Sequence, residues 1–183
     1  MNWIDRYAMK IAVSIRNNYN EASSEKVLFY SLSLIINTLT AIIAIILISL
    51  FTQHFWEALF STFSLISIRS LSGGFHLKSS LSCCVFTIFL VSIISLSSFD
   101  YSLVGFSMDI FSLLIYSLYA PKGIENVSRI APKYYIYLKY TCLVIICTNF
   151  FIQSPILSSV FFLQGLTLTN LGYFLVHKIE ERI

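Results

Sequence analysis

The stretch VLFYSLSLIINTLTAIIAIILISLF, Val27 to Phe51, runs 25 positions without one charged side chain. At about 1.5 Å of rise per helical residue, about 20 residues cross a bilayer's hydrocarbon core, so this run reads as a membrane span. Five more apolar runs follow: Phe55–Ile68, Leu81–Ser98, Tyr101–Ala120, Tyr134–Phe151 and Pro155–Val176. The run 55–68 is short and holds Glu57. It crosses by borrowing Gln53, His54 and Arg69 at its ends, and is otherwise tilted or re-entrant. Over the whole chain, 57% of residues are hydrophobic and 11% charged, with mean hydropathy +0.79. An ordinary soluble domain carries about 25% charged residues, so a soluble globule is excluded. The expected fold is all-α and polytopic, with about six transmembrane helices.

An amphipathic segment precedes the spans. Trp3, Ile4, Tyr7, Ala8, Ile11, Ala12 and Ile15 share one helical face, and Asp5, Arg6, Lys10, Ser14 and Arg16 the other. It reads as an interfacial helix on the bilayer, with packing on the protein's own surface as the alternative. No early apolar core of a cleavable signal precedes Val27, so the first span reads as a permanent anchor.

Orientation follows from the cations. With the N-terminus inside, segments 1–26, 69–80, 121–133 and 177–183 are cytoplasmic and hold eleven of the twelve Lys and Arg residues. Lys139 lies near the cytoplasmic start of span five and can snorkel. The outer turns hold none, as the positive-inside rule requires. Both termini are then cytoplasmic, and residues 1–183 form a single membrane-embedded domain with no internal repeat. Gly165 and Gly172, seven apart, mark a face for close helix contact and motivate a homodimer. A nucleic-acid partner is not expected; membrane lipid is.

Chemistry concentrates in one polar segment. Gly73-Gly74-Phe75-His76 is followed, seven residues after the histidine, by Cys83. A thiol and an imidazole are the parts of a cysteine nucleophile with its base. On one straight helix they would stand about 10.5 Å apart along the axis, too far for proton transfer at about 3 Å. The segment must therefore bend. Gly73 and Gly74 permit this, and Ser79 or Ser80 can cap the next helix, which puts Cys83 in its first turn. With Ser80 as cap, Cys83 is the third helical residue. A helix N-terminus favours negative charge and offers unpaired N–H groups to an oxyanion; Arg69 and Lys78 add positive potential.

Cys84 is the rival nucleophile, about 100° around the helix from Cys83. A metal site of His76, Cys83 and Cys84 is disfavoured because adjacent cysteines diverge. Cys142 and Cys147 read as buried packing residues. Glu57 and Asp109 are acids within apolar runs, where each costs about 2.5–3.5 kcal/mol at a span's centre. They read as structural ion-paired or protonated groups rather than as catalytic partners of His76.

The segment Arg69-Ser70-Leu71-Ser72-Gly73-Gly74-Phe75-His76, with Cys83 beyond it, resembles the accessory gene regulator B family. The family consists of bacterial membrane cysteine endopeptidases that process quorum-sensing propeptides. The amphipathic N-terminus, the span number and the placement of the motif between spans two and three are similar too. Carried over by position, His76 is the general base and Cys83 the nucleophile, with Arg69, Gly73 and Gly74 as supporting motif residues. Residues 69–83 would be the catalytic loop and the start of span three, on the cytoplasmic side of the bacterial cell membrane. Leu77 stands where many relatives have alanine, and Cys84 adds a second thiol.

The resemblance implies acyl transfer in two stages. Cys83 would expel the propeptide's C-terminal tail, and a substrate thiol or hydroxyl would then take the acyl group from the thioester. A cyclic thiolactone or lactone results, with no ATP, metal or other cofactor. Such propeptides carry an amphipathic leader and an acidic tail, and Lys78, Lys122, Arg129 and Lys133 are candidates to attract that tail. The alternatives are a small transporter or channel, for which intramembrane acids speak, and a non-enzymatic membrane assembly partner.

Overall fold

The computed structural model describes residues 2–19, 21–75, 77, 79–97, 99–124 and 130–180, the side chains of 179 and 180 aside. His76, Lys78 and Arg129, to which the sequence assigns roles, lie outside the described residues. The described elements are helices and turns: α1 (Trp3–Asn18), α2 (Glu25–Thr52), α3 (Phe55–Ser72), α4 (Ser80–Leu96), α5 (Leu103–Tyr119), a 3-10 turn (Pro132–Tyr134), α6 (Tyr135–Ile152), α7 (Pro155–Leu166) and α8 (Asn170–Glu180). Isolated residues Gly73 and Lys122 pair as a parallel β-bridge.

By length and composition, α2 and the continuous stretch Pro132–Ile152 can each cross a membrane. The pair α7 and α8 makes a third if counted as one broken span. Helices α4 and α5 are apolar but shorter, with 17 residues each, or about 26 Å. This is a membrane protein of two to three full-length candidate spans and several shorter apolar helices. Near-uniform hydrophobicity all round a helix is the pattern of a membrane or buried segment.

One expected span is not continuous. The run Pro155–Val176 breaks after Leu166, and α8 departs at 67°. The break separates Gly165 from Gly172, so they do not share a helical face. Gly165 instead packs inside the protomer, where a Cβ would lie 3.1 Å from the Tyr116 ring. The small-residue argument for a homodimer therefore falls away.

The core lies among α3 to α7. Ile68, Val91, Ile94, Tyr116, Ile146 and Val160 are fully or almost fully buried there. Helix α1 folds back along α2. Its Ile4, Ala8 and Ala12 are buried, and Ile4 clusters with Ala41 of α2 and Cys84 of α4. Its apolar face is thus split: Trp3, Tyr7, Ile11 and Ile15 stay exposed as a stripe along the outer side. At its N-terminus, Asn2 Nδ2 donates to Ser79 Oγ at 3.1 Å, and Ser80 Oγ donates to Asp5 Oδ1 at 2.7 Å. The start of α1 is thereby fastened to the start of α4. Cys142 is buried as expected, but Cys147 is exposed. Five residues on in α6, it points about 140° away.

Glu57 sits in the first turn of α3, its carboxylate 3.9 Å from His54 Nδ1. Asp109 is fully buried in α5. Its Oδ2 accepts from Tyr101 Oη at 2.8 Å and Asn149 Nδ2 at 3.0 Å. That cluster belongs to the bundle end holding the α6–α7 turn, because Asn149 also binds the Ser154 carbonyl and Ser158 Oγ. Neither acid reaches the segment that carries Cys83.

Candidate functional site

Helix α3 ends at Ser72 because the next two residues leave helical space. Gly73 has φ 76° and Gly74 φ 126°, a region open to glycine and costly for other residues. The turn is also crowded. A Cβ on Gly73 would lie 2.2 Å from the Lys122 carbonyl oxygen, and one on Gly74 2.6 Å from Thr167 Oγ1. Both glycines are needed for conformation and for space.

The segment 73–75 is stitched in place from three sides. Gly74 N–H donates to Lys122 O at 2.8 Å, and Lys122 N–H to Ser72 O at 3.0 Å. Phe75 N–H donates to Thr167 O at 3.3 Å. Gln164 Nε2 donates to Gly73 O at 2.7 Å and to Ser72 Oγ at 3.3 Å. Arg69 Nη2 donates to Phe75 O at 2.8 Å, and its Nη1 to Gln164 Oε1 at 3.4 Å. The guanidinium thus closes the loop that follows its own helix, a use for its fixed fork of donors. Phe75 is buried against Phe86 and Tyr173.

The break between α7 and α8 serves this loop. Interrupting a helix frees carbonyls that need partners, and Thr167 O is taken by Phe75 N–H. Gln164 and Thr167 are positioning residues that the motif does not contain. Gln164 had a signal in the sequence: an amide inside an apolar run must find partners when buried.

Ser79 is the N-cap of α4, and Ser80 its first residue. Cys83 is the fourth helical residue, one later than with Ser80 as cap, and its N–H is already bonded to Ser79 O at 3.1 Å. Its peptide N–H is therefore spent within the helix. The earlier first-turn N–H groups have no intrahelical partner.

Two clefts meet at Cys83. The larger, of 320 Å³, is mainly apolar and runs between α2, α3 and α4, with Arg69, Gly73 and Gly123 in its wall. The smaller, of 210 Å³, is bounded by Asp5, Tyr30, Ser33, Leu77 and Ser80. Cys83 is half-buried and lines both, whereas Cys84 is buried among Ile4 and Ala41. Of the two adjacent thiols, Cys83 is the one that faces open space.

Among the tail-binding candidates, Lys133 is exposed on the 3-10 turn, its ammonium 5.0 Å above the Tyr134 ring. The Lys122 ammonium is occupied. It donates to Asn170 Oδ1 at 2.6 Å and lies 4.4 Å above the Tyr173 ring.

The fold and site define a helical membrane protein with a thiol at the mouth of two clefts, beside a docked glycine loop. The sequence model of the accessory gene regulator B family matches residues 8–176 of the 183, and the chain belongs to that family. Comparison with curated proteins and with solved structures gives no match.

Proposed function

We propose that this protein is a membrane-embedded cysteine endopeptidase that removes the C-terminal tail of an autoinducer propeptide and leaves it as a cyclic thiolactone or lactone. The observation that supports this most is the placement of Cys83, the thiol open to both clefts. The residues flanking His76 agree with it. Phe75 is held by Arg69, and Leu77 lines the same small cleft as Cys83.

The chemistry is acyl transfer. His76 takes the Cys83 proton, and the sulfur attacks the scissile carbonyl carbon. The carbon–nitrogen bond breaks, the tail's amine leaves with the proton from His76, and a thioester joins Cys83 to the leader-bearing part. A thiol or hydroxyl within that part gives its proton to His76 and attacks the thioester. The ring closes, and Cys83 leaves as thiolate and recovers the proton. The positive end of α4 favours negative charge on sulfur and on the oxyanion. An apolar cleft limits water that would hydrolyse the thioester.

The topology follows the cations. Gly73 and Lys122 meet at one bundle end, which with Lys133 we assign to the cytoplasmic face of the bacterial cell membrane. Lys133 is the described cation best placed to attract an acidic tail; Lys122 acts through its backbone. The α7–α8 break resembles a transporter feature, but its free carbonyl holds the loop rather than lining a path.

The test is co-expression with a candidate autoinducer propeptide that carries an amphipathic leader and an acidic tail, read by intact mass spectrometry. Tail loss is expected in wild type and Cys84→Ala and absent in Cys83→Ala. Unchanged tail loss in Cys83→Ala overturns the assignment.

A further inference from the structure

Among the described residues, three line both clefts: Leu34, Asn37 and Cys83. Besides the thiol, the described residues of the junction offer one polar side chain, the Asn37 carboxamide. It is nine-tenths buried, and its Oδ1 has no hydrogen-bond partner among the described residues. One turn earlier on α2, Ser33 is also buried, faces the smaller cleft, and leaves its hydroxyl unpartnered.

This is unusual within α2 itself. The hydroxyls of Ser31, Thr38, Thr40 and Ser49 all donate to carbonyls of their own helix. That is the ordinary way for a hydroxyl to be satisfied in an apolar helix. Ser33 and Asn37 forgo it on the wall that faces Cys83. A buried polar group without a partner costs stability, and one that lines a cleft can be completed by a ligand that supplies the missing bond.

We infer that Asn37 is a substrate-binding residue, whose carboxamide holds the backbone of an extended peptide where it passes Cys83 from one cleft to the other. The inference rests on the proposed reading of Cys83 as nucleophile. A carboxamide suits this ligand because it both donates and accepts, as a peptide unit does. The Ser33 hydroxyl extends the same polar wall into the smaller cleft. The ligand class is thus a peptide main chain with its flanking residues in the two clefts. Asn37 acts on binding, in ground state and transition state alike.

The test uses the full-length protein in lipid nanodiscs with the same propeptide. Asn37→Leu keeps the branching and removes the polar atoms. KM is expected to rise about ten- to a hundredfold, the effect of one or two lost hydrogen bonds, with kcat within about threefold. The unfolding midpoint should stay level or rise, because the orphaned atoms are gone. Ser33→Ala should raise KM about two- to fivefold, for one weaker bond. In a Cys83→Ala background, Asn37→Leu should weaken propeptide affinity by the same factor as it raises KM.

Unchanged KM and affinity overturn the inference. So does a lowered midpoint, since that marks Asn37 as a packing residue. If Cys83→Ala still processes the propeptide, the nucleophile reading fails instead, and the affinity comparison still decides on Asn37.

Discussion

Replacing Gly73 with alanine should unseat the loop before it harms the bundle. The backbone there has φ 76° and ψ −137°, and holding a non-glycine residue in such a region costs about 1–3 kcal/mol. The new Cβ would also lie 2.2 Å from Lys122 O and 2.8 Å from Ile124 Cγ1. The oxygen belongs to backbone held by Gly74 N–H and, through its own residue's N–H, by Ser72 O. Relief of the clash breaks both hydrogen bonds, at about 1 kcal/mol each. The total is about 3–5 kcal/mol. Because the loop is fastened by a few hydrogen bonds and the helices by a contiguous core, the loop gives way. Processing should fall at least about a hundredfold, the effect of roughly 3 kcal/mol, while the unfolding midpoint moves little. The comparison is Gly165→Ala. Its Cβ would meet side chains alone, the Tyr116 ring edge at 3.1 Å and Ile115 Cγ2 at 3.5 Å, and alanine gains about 1 kcal/mol in a helix; processing should stay within about threefold. Initial rates by mass spectrometry, beside thermal unfolding in nanodiscs, measure both. Processing by Gly73→Ala within threefold of wild type, with an unchanged midpoint, refutes the argument that the docked loop matters.

Other expectations follow from the same geometry. Gln164→Leu orphans the Gly73 carbonyl and removes a partner of Arg69, at about 2–4 kcal/mol for the buried groups left unpaired; lowered processing and a lowered midpoint check it. A water-soluble maleimide should label Cys83 far faster than Cys84, since only the former opens to the clefts; peptide mapping after brief labelling reads this, and equal labelling contradicts it. Asp109→Asn keeps the acceptor for Tyr101 and removes a buried acid, so processing should stay within about threefold, whereas Asp109→Leu removes the acceptor of the Tyr101 hydroxyl and one of three partners of Asn149 Nδ2 and should cost about 1–3 kcal/mol. Loss of function in Asp109→Asn with Cys83→Ala unaffected would favour transport. Asp5→Asn weakens the carboxylate's contact with the start of α4 and should cost less than about 1 kcal/mol, visible as a small drop in midpoint.

What was legible in the sequence is what local rules control. The uncharged run 27–51 gave a long helix, Gly73-Gly74 ended α3, and a serine opened α4 just ahead of Cys83. What was not legible depends on partners far along the chain. The break after Leu166 has only weak local signals, Gly165 just before it and Thr169 after it, whose Oγ1 accepts from Gly172 N–H at 3.1 Å. Its partner is a loop 92 residues earlier, whose Phe75 N–H takes the Thr167 carbonyl. The dock of α1 on α4 is equally invisible to periodicity, since both stripes of its face are apolar.

The buried amides bridge the two kinds of information. An amide in an apolar run must be satisfied somewhere, so each one points to a long-range partner before that partner is known. Asn149 meets this through Asp109, Ser154 and Ser158, and Gln164 through Arg69, Ser72 and Gly73. The first ties α5, α6 and α7 together at one end of the bundle, and the second fixes the loop at the other. Asn37 is the buried amide for which the described residues supply no partner to its oxygen, and it stands beside the thiol. Among the described residues, Asp109 Oδ1 and Tyr116 Oη are also buried without a partner, but neither residue lines a cleft with Cys83. On the proposed reading, the Asn37 oxygen lies where a peptide would pass to reach Cys83, and a peptide main chain is the partner that would complete it.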